Sequence, residues 1–213
     1  MRRDAGGQPS AQATRLVSAG RLEAFSDGVL AILITIMVLG LRVPHGSALA
    51  DLRPVATDFA CYALSFVNIG IYWVNHHHLL KTVTRVTGGV MWANLNLLFW
   101  LSLIPFTTAY VAQNHFAALP VAVYGIDLFA CGAAYYTLQW AIKRANGEDS
   151  VLAAALGSDL KGKASVGIYA VAIALTPLSR WLALGLYWVV AIMWLIPDRR
   201  LAATVEHRGT EAA

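Results

Sequence analysis

Charge is what this chain has least of: Lys and Arg number 16 and Asp and Glu 12, together 13% of 213 residues. An ordinary soluble domain carries about a quarter. The shortage comes with 58% hydrophobic residues and several apolar runs approaching ~20 residues, more than one soluble core of this length hides. That excludes most soluble enzymes. The motifs of catalysis are missing as well: there is no Ser, His and Asp spacing, phosphate loop, His-Glu-x-x-His motif or paired-Cys motif. No enzymatic activity or bound cofactor is expected. The two cysteines, Cys61 and Cys131, both fall in apolar segments, so a disulfide framework is not indicated and both read as small packing residues. The net charge of +4 sits in short clusters rather than on a basic face, so no nucleic-acid partner is expected. No convincing repeat links the two halves, which argues against an inverted-repeat transporter.

What is present is a succession of six apolar segments: Leu22 to Leu41, Val55 to Val74, Val90 to Val111, Leu119 to Ala141, Ala164 to Ser179 and Trp181 to Pro197. Four have the ~20-residue length a bilayer demands, and the last two form a shorter hairpin split by Arg180. The expected fold is all-α, a polytopic integral membrane protein with six transmembrane helices over residues 21–198. Residues 1–20 and 199–213 read as polar cytoplasmic tails without a cleavable signal. Pro105 and Pro177 are expected to kink or end their helices.

Short cytoplasmic loops carry excess Lys and Arg, and the charges alternate accordingly. One side takes Arg2, Arg3, Arg15, Arg21, Lys81, Arg85, Lys143, Arg144, Lys161, Lys163, Arg199, Arg200 and Arg208; the other takes only Arg42, Arg53 and Arg180. Both termini are therefore expected on the cytoplasmic side of the cell inner membrane, in contact with lipid.

The stretch from Arg21 to Leu39 places polarity inside an apolar helix. Asp27 lies six residues, roughly 9 Å of helix, beyond Arg21. An intramembrane carboxylate costs about 2.5–3.5 kcal/mol on insertion scales, so partners are expected, unless headgroup water wets it. Arg21 itself is out of phase, since helix side chains meet at spacings of three or four. The second segment ends in Trp73, Asn75, His76, His77 and His78, and the third begins with Trp92, Asn94 and Asn96, all at the same membrane level. A polar network is expected in which Ser26 and Asp27 bond to some of Trp73, His77 and Asn94, fixing the first helix. The three adjacent histidines point in different directions, so no metal site is expected. Asp127 is a second intramembrane carboxylate, open to two readings: an interhelical hydrogen bond to Tyr124, Tyr135 or a neighbouring helix, or, with Asp27 and the histidines, a proton carrier in a proton-coupled secondary transporter. Ile32, Thr35, Ile36 and Leu39 recur at spacings of three and four, one stripe that lines either a packing seam or a pore.

The string Arg21-x-x-x-Phe25-Ser26-Asp27 resembles the signature of the transmembrane protein 175 family of potassium channels. The likeness extends through Trp73 and His77, Asn94 and Pro105-Phe106, covering Arg21 to about Tyr110; beyond it only the helix count matches. The resemblance implies a homotetramer with four first helices around a pore, potassium as the permeant ion, and hydrophobic rings instead of a Thr-Val-Gly-Tyr-Gly filter, which this sequence lacks. By distance from Asp27, those rings fall to Ile32, Ile36 and Leu39, with Thr35 supplying hydroxyls. Arg21, Phe25, Ser26, Asp27, Trp73, His77 and Asn94 take the structural role.

Overall fold

The computed structural model describes residues 11–147 and 160–195. Among these the chain forms six α-helices and no strand: α1 Ala11–Ile36, α2 Arg53–Lys81, α3 Gly88–Gln113, α4 Ala118–Asn146, α5 Leu160–Leu175 and α6 Arg180–Leu195. The first continues through a 3-10 turn, Met37–Gly40. Four of them meet the length and apolarity needed to cross a bilayer, as Ala19–Gly40, Val55–Lys81, Gly88–Gln113 and Ala118–Asn146. At 16 residues each, α5 and α6 reach roughly 24 Å, short of the ~30 Å hydrocarbon thickness.

Helix ends follow local chemistry. Thr87 caps α3 by accepting the Val90 N–H, and Lys143 and Arg144 occupy the last turn of α4, where cations favour the exposed carbonyls. Asn146 then holds the α2–α3 loop: its Oδ1 accepts from Thr84 N, Thr84 Oγ1 and Arg85 N at 3.1, 2.6 and 2.8 Å. Pro177 sits in the turn between α5 and α6, as a residue that ends a helix should. Pro105 does not end α3, which runs on to Gln113. Just past it, Thr108 donates back to the carbonyl of Ile104.

The first helix begins earlier than its apolar run, at Ala11, inside the segment read as a tail. Residues 1–10 and 196–213, which hold the rest of both tails, lie outside the described residues. Lys161 and Lys163, read as loop, stand in the first turn of α5.

The core is centred on α3 and α4, with Leu97, Leu101, Ile104, Val121, Leu128, Leu138 and Ile142 fully enclosed. Helix α1 packs on α2 and α3 at one edge; α5 packs on α4 and α6 at another. Cys61 and Cys131 are both buried and unpaired. Gly125 permits the close approach of α4 and α6: a Cβ there would run into the Tyr187 ring and hydroxyl, which donates to Val121 O at 3.3 Å. Gly125→Ala is accordingly expected to cost about 1–3 kcal/mol by overpacking, read as a lower melting midpoint in size-exclusion thermal assays. An unchanged midpoint would mean that the two helices do not meet there.

Candidate functional site

Of the four long helices, α1 is the least covered: 22% of its apolar window is buried, against 50% for α4. Its burial is one-sided. Ser26, Leu30, Leu33 and Met37, spaced four, three and four, face α2 and α3 and are enclosed. On the opposite side Phe25, Ile32, Thr35, Ile36 and Leu39 are exposed, with Ile32 at 62% and Leu39 at 80%. The stripe singled out by spacing is thus the face that this subunit leaves uncovered. Within it, Thr35 donates its hydroxyl proton to Ala31 O at 2.9 Å, so what it presents outward is oxygen lone pairs.

The inner part of α1 is held by a chain of hydrogen bonds whose direction can be fixed from one end. Ser26 Oγ donates to Leu22 O at 2.8 Å, which leaves it as acceptor for Asn94 Nδ2 at 2.9 Å. That orients the Asn94 amide so that its Oδ1 accepts from His76 Nε2 at 2.7 Å. Ser26 and Asn94 are fully enclosed and His76 almost so. A buried polar group left unpaired costs about 1–3 kcal/mol, so each member depends on the next. His76 Nδ1 has no hydrogen-bond partner among the described residues. A second, more exposed link runs from Trp73 Nε1, which donates to Asp27 Oδ1 at 3.1 Å.

His77 stands one position off from where the network was expected. It meets neither Ser26 nor Asp27; its Nδ1 lies 2.9 Å from Glu23 Oε1, with its ring 6.3 Å from that of Trp73. The histidine that bonds to Asn94, and through it connects to Ser26, is His76, which spacing from the enclosed Ile69 and Leu79 places on the buried side of α2. Glu23 was also missed, although its place three and four residues ahead of Ser26 and Asp27 put it on the same face. Arg21 is exposed and makes no hydrogen bond or ion pair with the described residues, and Phe25 points away from the bundle.

At the far end of α1 an ion pair went unforeseen. Arg42 Nε donates to Asp58 Oδ2 at 2.9 Å, tying the chain after α1 to the start of α2. The hydrogen bond to Asp58, then the charge of that carboxylate, raise the Arg42 pKa, so the guanidinium stays charged. Asp127 lies elsewhere, between α3 and α4, where its Oδ2 accepts from Thr107 Oγ1 at 2.8 Å. This is the interhelical bond open to it from sequence, made to Thr107 rather than to Tyr124 or Tyr135.

If the inner links organise α1, Asp27→Ala is expected to lower the yield of folded protein, as read by fluorescence-detected size exclusion. Unaltered yield and elution would mean that the Trp73–Asp27 link does not hold the helix.

The sequence matches the family described as "Endosomal/lysosomal potassium channel TMEM175" over residues 21–105. A potassium channel of Chryseobacterium sp. is 50% identical over 190 residues, covering 89% of this chain and 99% of that protein. The human protein named endosomal/lysosomal proton channel TMEM175 is 33% identical over 116 residues, 49% of this chain but 23% of that one. Among solved structures, the crystal structure of a lysosomal potassium-selective channel TMEM175 homolog from Chamaesiphon minutus superposes with a TM-score of 0.73 at 31% identity. It covers 85% of this chain and 98% of its own. With near-complete coverage of a half-identical channel, the signature on α1 and the same fold, this multi-pass membrane protein is no enzyme and belongs to the TMEM175 family of potassium channels.

Proposed function

We propose that the chain forms a potassium-permeable, leak-type channel as a homotetramer, with four copies of α1 around the pore. The observation that carries this is the one-sided burial of α1: an apolar helix anchored along Ser26, Leu30, Leu33 and Met37 leaves Ile32, Ile36 and Leu39 exposed among the described residues. Fourfold repetition of that face closes it on itself. The names of the Chryseobacterium and Chamaesiphon relatives supply potassium as the ion.

Rings of Ile32, Ile36 and Leu39 narrow enough to exclude water act as a gate, because an ion does not shed its hydration shell without replacement ligands. The Thr35 oxygens, whose protons are turned back to the helix, offer partial replacement on the adjoining turn. Arg21 and Phe25, exposed in one subunit, are left for contacts with neighbouring copies. The polar links from Ser26, Asp27, Trp73, His77 and Asn94 fix the angle of α1. Lys81, Arg85, Lys143, Arg144, Lys161 and Lys163 gather at one end of the bundle and Arg42, Arg53 and Arg180 at the other, which supports cytoplasmic termini in an inner membrane. A proton-coupled transporter draws no support from Asp127, which bonds across the α3–α4 seam away from the open face of α1.

Oligomeric mass in lipid nanodiscs, together with bilayer recording, tests the proposal. A tetramer with unitary potassium currents is expected. A monomer would remove it, since one helix per subunit encloses nothing, and carrier-like flux without unitary events would favour the transporter.

A further inference from the structure

A cavity that α1 does not touch lies among α2, α4, α5 and α6. Its volume is ≈ 50 Å³, room for roughly two to four water molecules. Two of its lining side chains, Gln139 of α4 and Tyr169 of α5, are each only 4% exposed. Neither the Gln139 amide nor the Tyr169 hydroxyl makes a hydrogen bond among the described residues, and their polar atoms are not sealed off as His76 Nδ1 and Asp127 Oδ1 are. Polar side chains so enclosed bond to protein or to a guest, so two unpaired groups lining one cavity point to an occupant.

The walls do not collapse to satisfy them. Tyr135 OH donates to Asn75 O at 3.1 Å, and Trp194 Nε1 donates to Ser165 Oγ at 2.8 Å, so these side chains are already committed. Among the described residues no Asp, Glu, Lys, Arg or His lines the space, which leaves a charged guest without a counter-charge there. The remaining surface is largely aromatic and aliphatic, suited to a molecule with one polar end.

We infer that this cavity is a binding site for a small neutral hydroxylic guest, water or a short-chain alcohol, held by the Gln139 amide and the Tyr169 hydroxyl. The site is independent of whether α1 lines a pore. It borders the turn of α2 at Tyr72 and Asn75 whose neighbours Trp73 and His76 reach α1 and α3.

Two measurements on the full-length assembly test it. The first compares melting midpoints of the unaltered protein, Gln139→Leu and Tyr169→Phe. Both changes nearly conserve volume, and the second removes a single oxygen, so folding is retained. With a guest bound, each lowers the midpoint, by about 2–4 °C for the loss of one hydrogen bond. A raised midpoint means the cavity is dry and the orphans are merely unsatisfied; an unchanged one means they hold nothing. Either overturns the inference. The second separates the guests by photolabelling with 3-azibutanol and peptide mapping. Adducts at Tyr135, Gln139 or Tyr169 that disappear with excess 1-butanol, and in Gln139→Leu, show that alcohol enters. Lowered midpoints without such adducts identify the guest as water.

Discussion

Ile32→Asn is expected to raise potassium flux into liposomes and to lower discrimination against sodium, with assembly unchanged. The side chain is 62% exposed in the subunit, so an amide there meets no packed neighbour. In the proposed ring of four it replaces a surface that repels water by one that binds it. Lowering the dewetting barrier by about 1.4 kcal/mol gives roughly a tenfold rise in flux. Leu33→Asn provides the contrast. One residue along and about 100° around the helix, Leu33 is 8% exposed and faces the core. An amide in that position is expected to reduce the amount of folded protein without raising flux per channel. If Ile32→Asn in well-assembled protein leaves flux as it was, the open face of α1 is a contact surface and not a constriction.

Asn94→Leu is expected to be the most damaging single change to folding. The substitution conserves volume but strands two enclosed partners at once, the His76 Nε2–H and the Ser26 hydroxyl oxygen. At about 1–3 kcal/mol for each unsatisfied group, the loss is about 2–6 kcal/mol, a large part of a domain's typical ~5–15 kcal/mol. Ser26→Ala removes only one acceptor from Asn94 and should be milder. Because the three groups form one chain, pairing Asn94→Leu with His76→Phe should cost less than the two changes added together. Wild-type yield and melting for Asn94→Leu alone would show that the chain of bonds contributes nothing.

The helices were legible wherever apolar length sufficed to mark them, and their ends were not, because hydropathy marks the membrane zone and not the extent of backbone hydrogen bonding. The second segment was read as apolar to Val74, yet α2 runs to Lys81. Its polar residues are satisfied without leaving the helix: Asn75 donates to Ile71 O, His78 bonds to Val74 O and His76 bonds across to Asn94. Signature spacing led to Trp73, Ser26, Asp27 and Asn94, which the structure brings together, but the choice between His76 and His77 needed the rotation of α2 about its axis. Periodicity likewise gave the stripe on α1 without saying whether it turned inward or outward. The cavity beside Gln139 and Tyr169 left no mark in the sequence, since its lining comes from four helices far apart in the chain.

In the proposed tetramer, the attachments of α1 bear on how a ring of such helices would change its bore. At one end Glu23, Ser26 and Asp27 are tied to α2 and α3; at the other Met37 is enclosed, and Arg42 is tied to Asp58 a few residues on. Mechanically this is a beam tied by directional bonds at both ends and resting between them on the nondirectional apolar packing of Leu30 and Leu33. Such a beam does not swing like a hinged door; it bows at its middle or rolls about its length. Ile32 stands near mid-span, where bowing displaces the axis most. A bore controlled this way widens at the waist while its rims stay the same size.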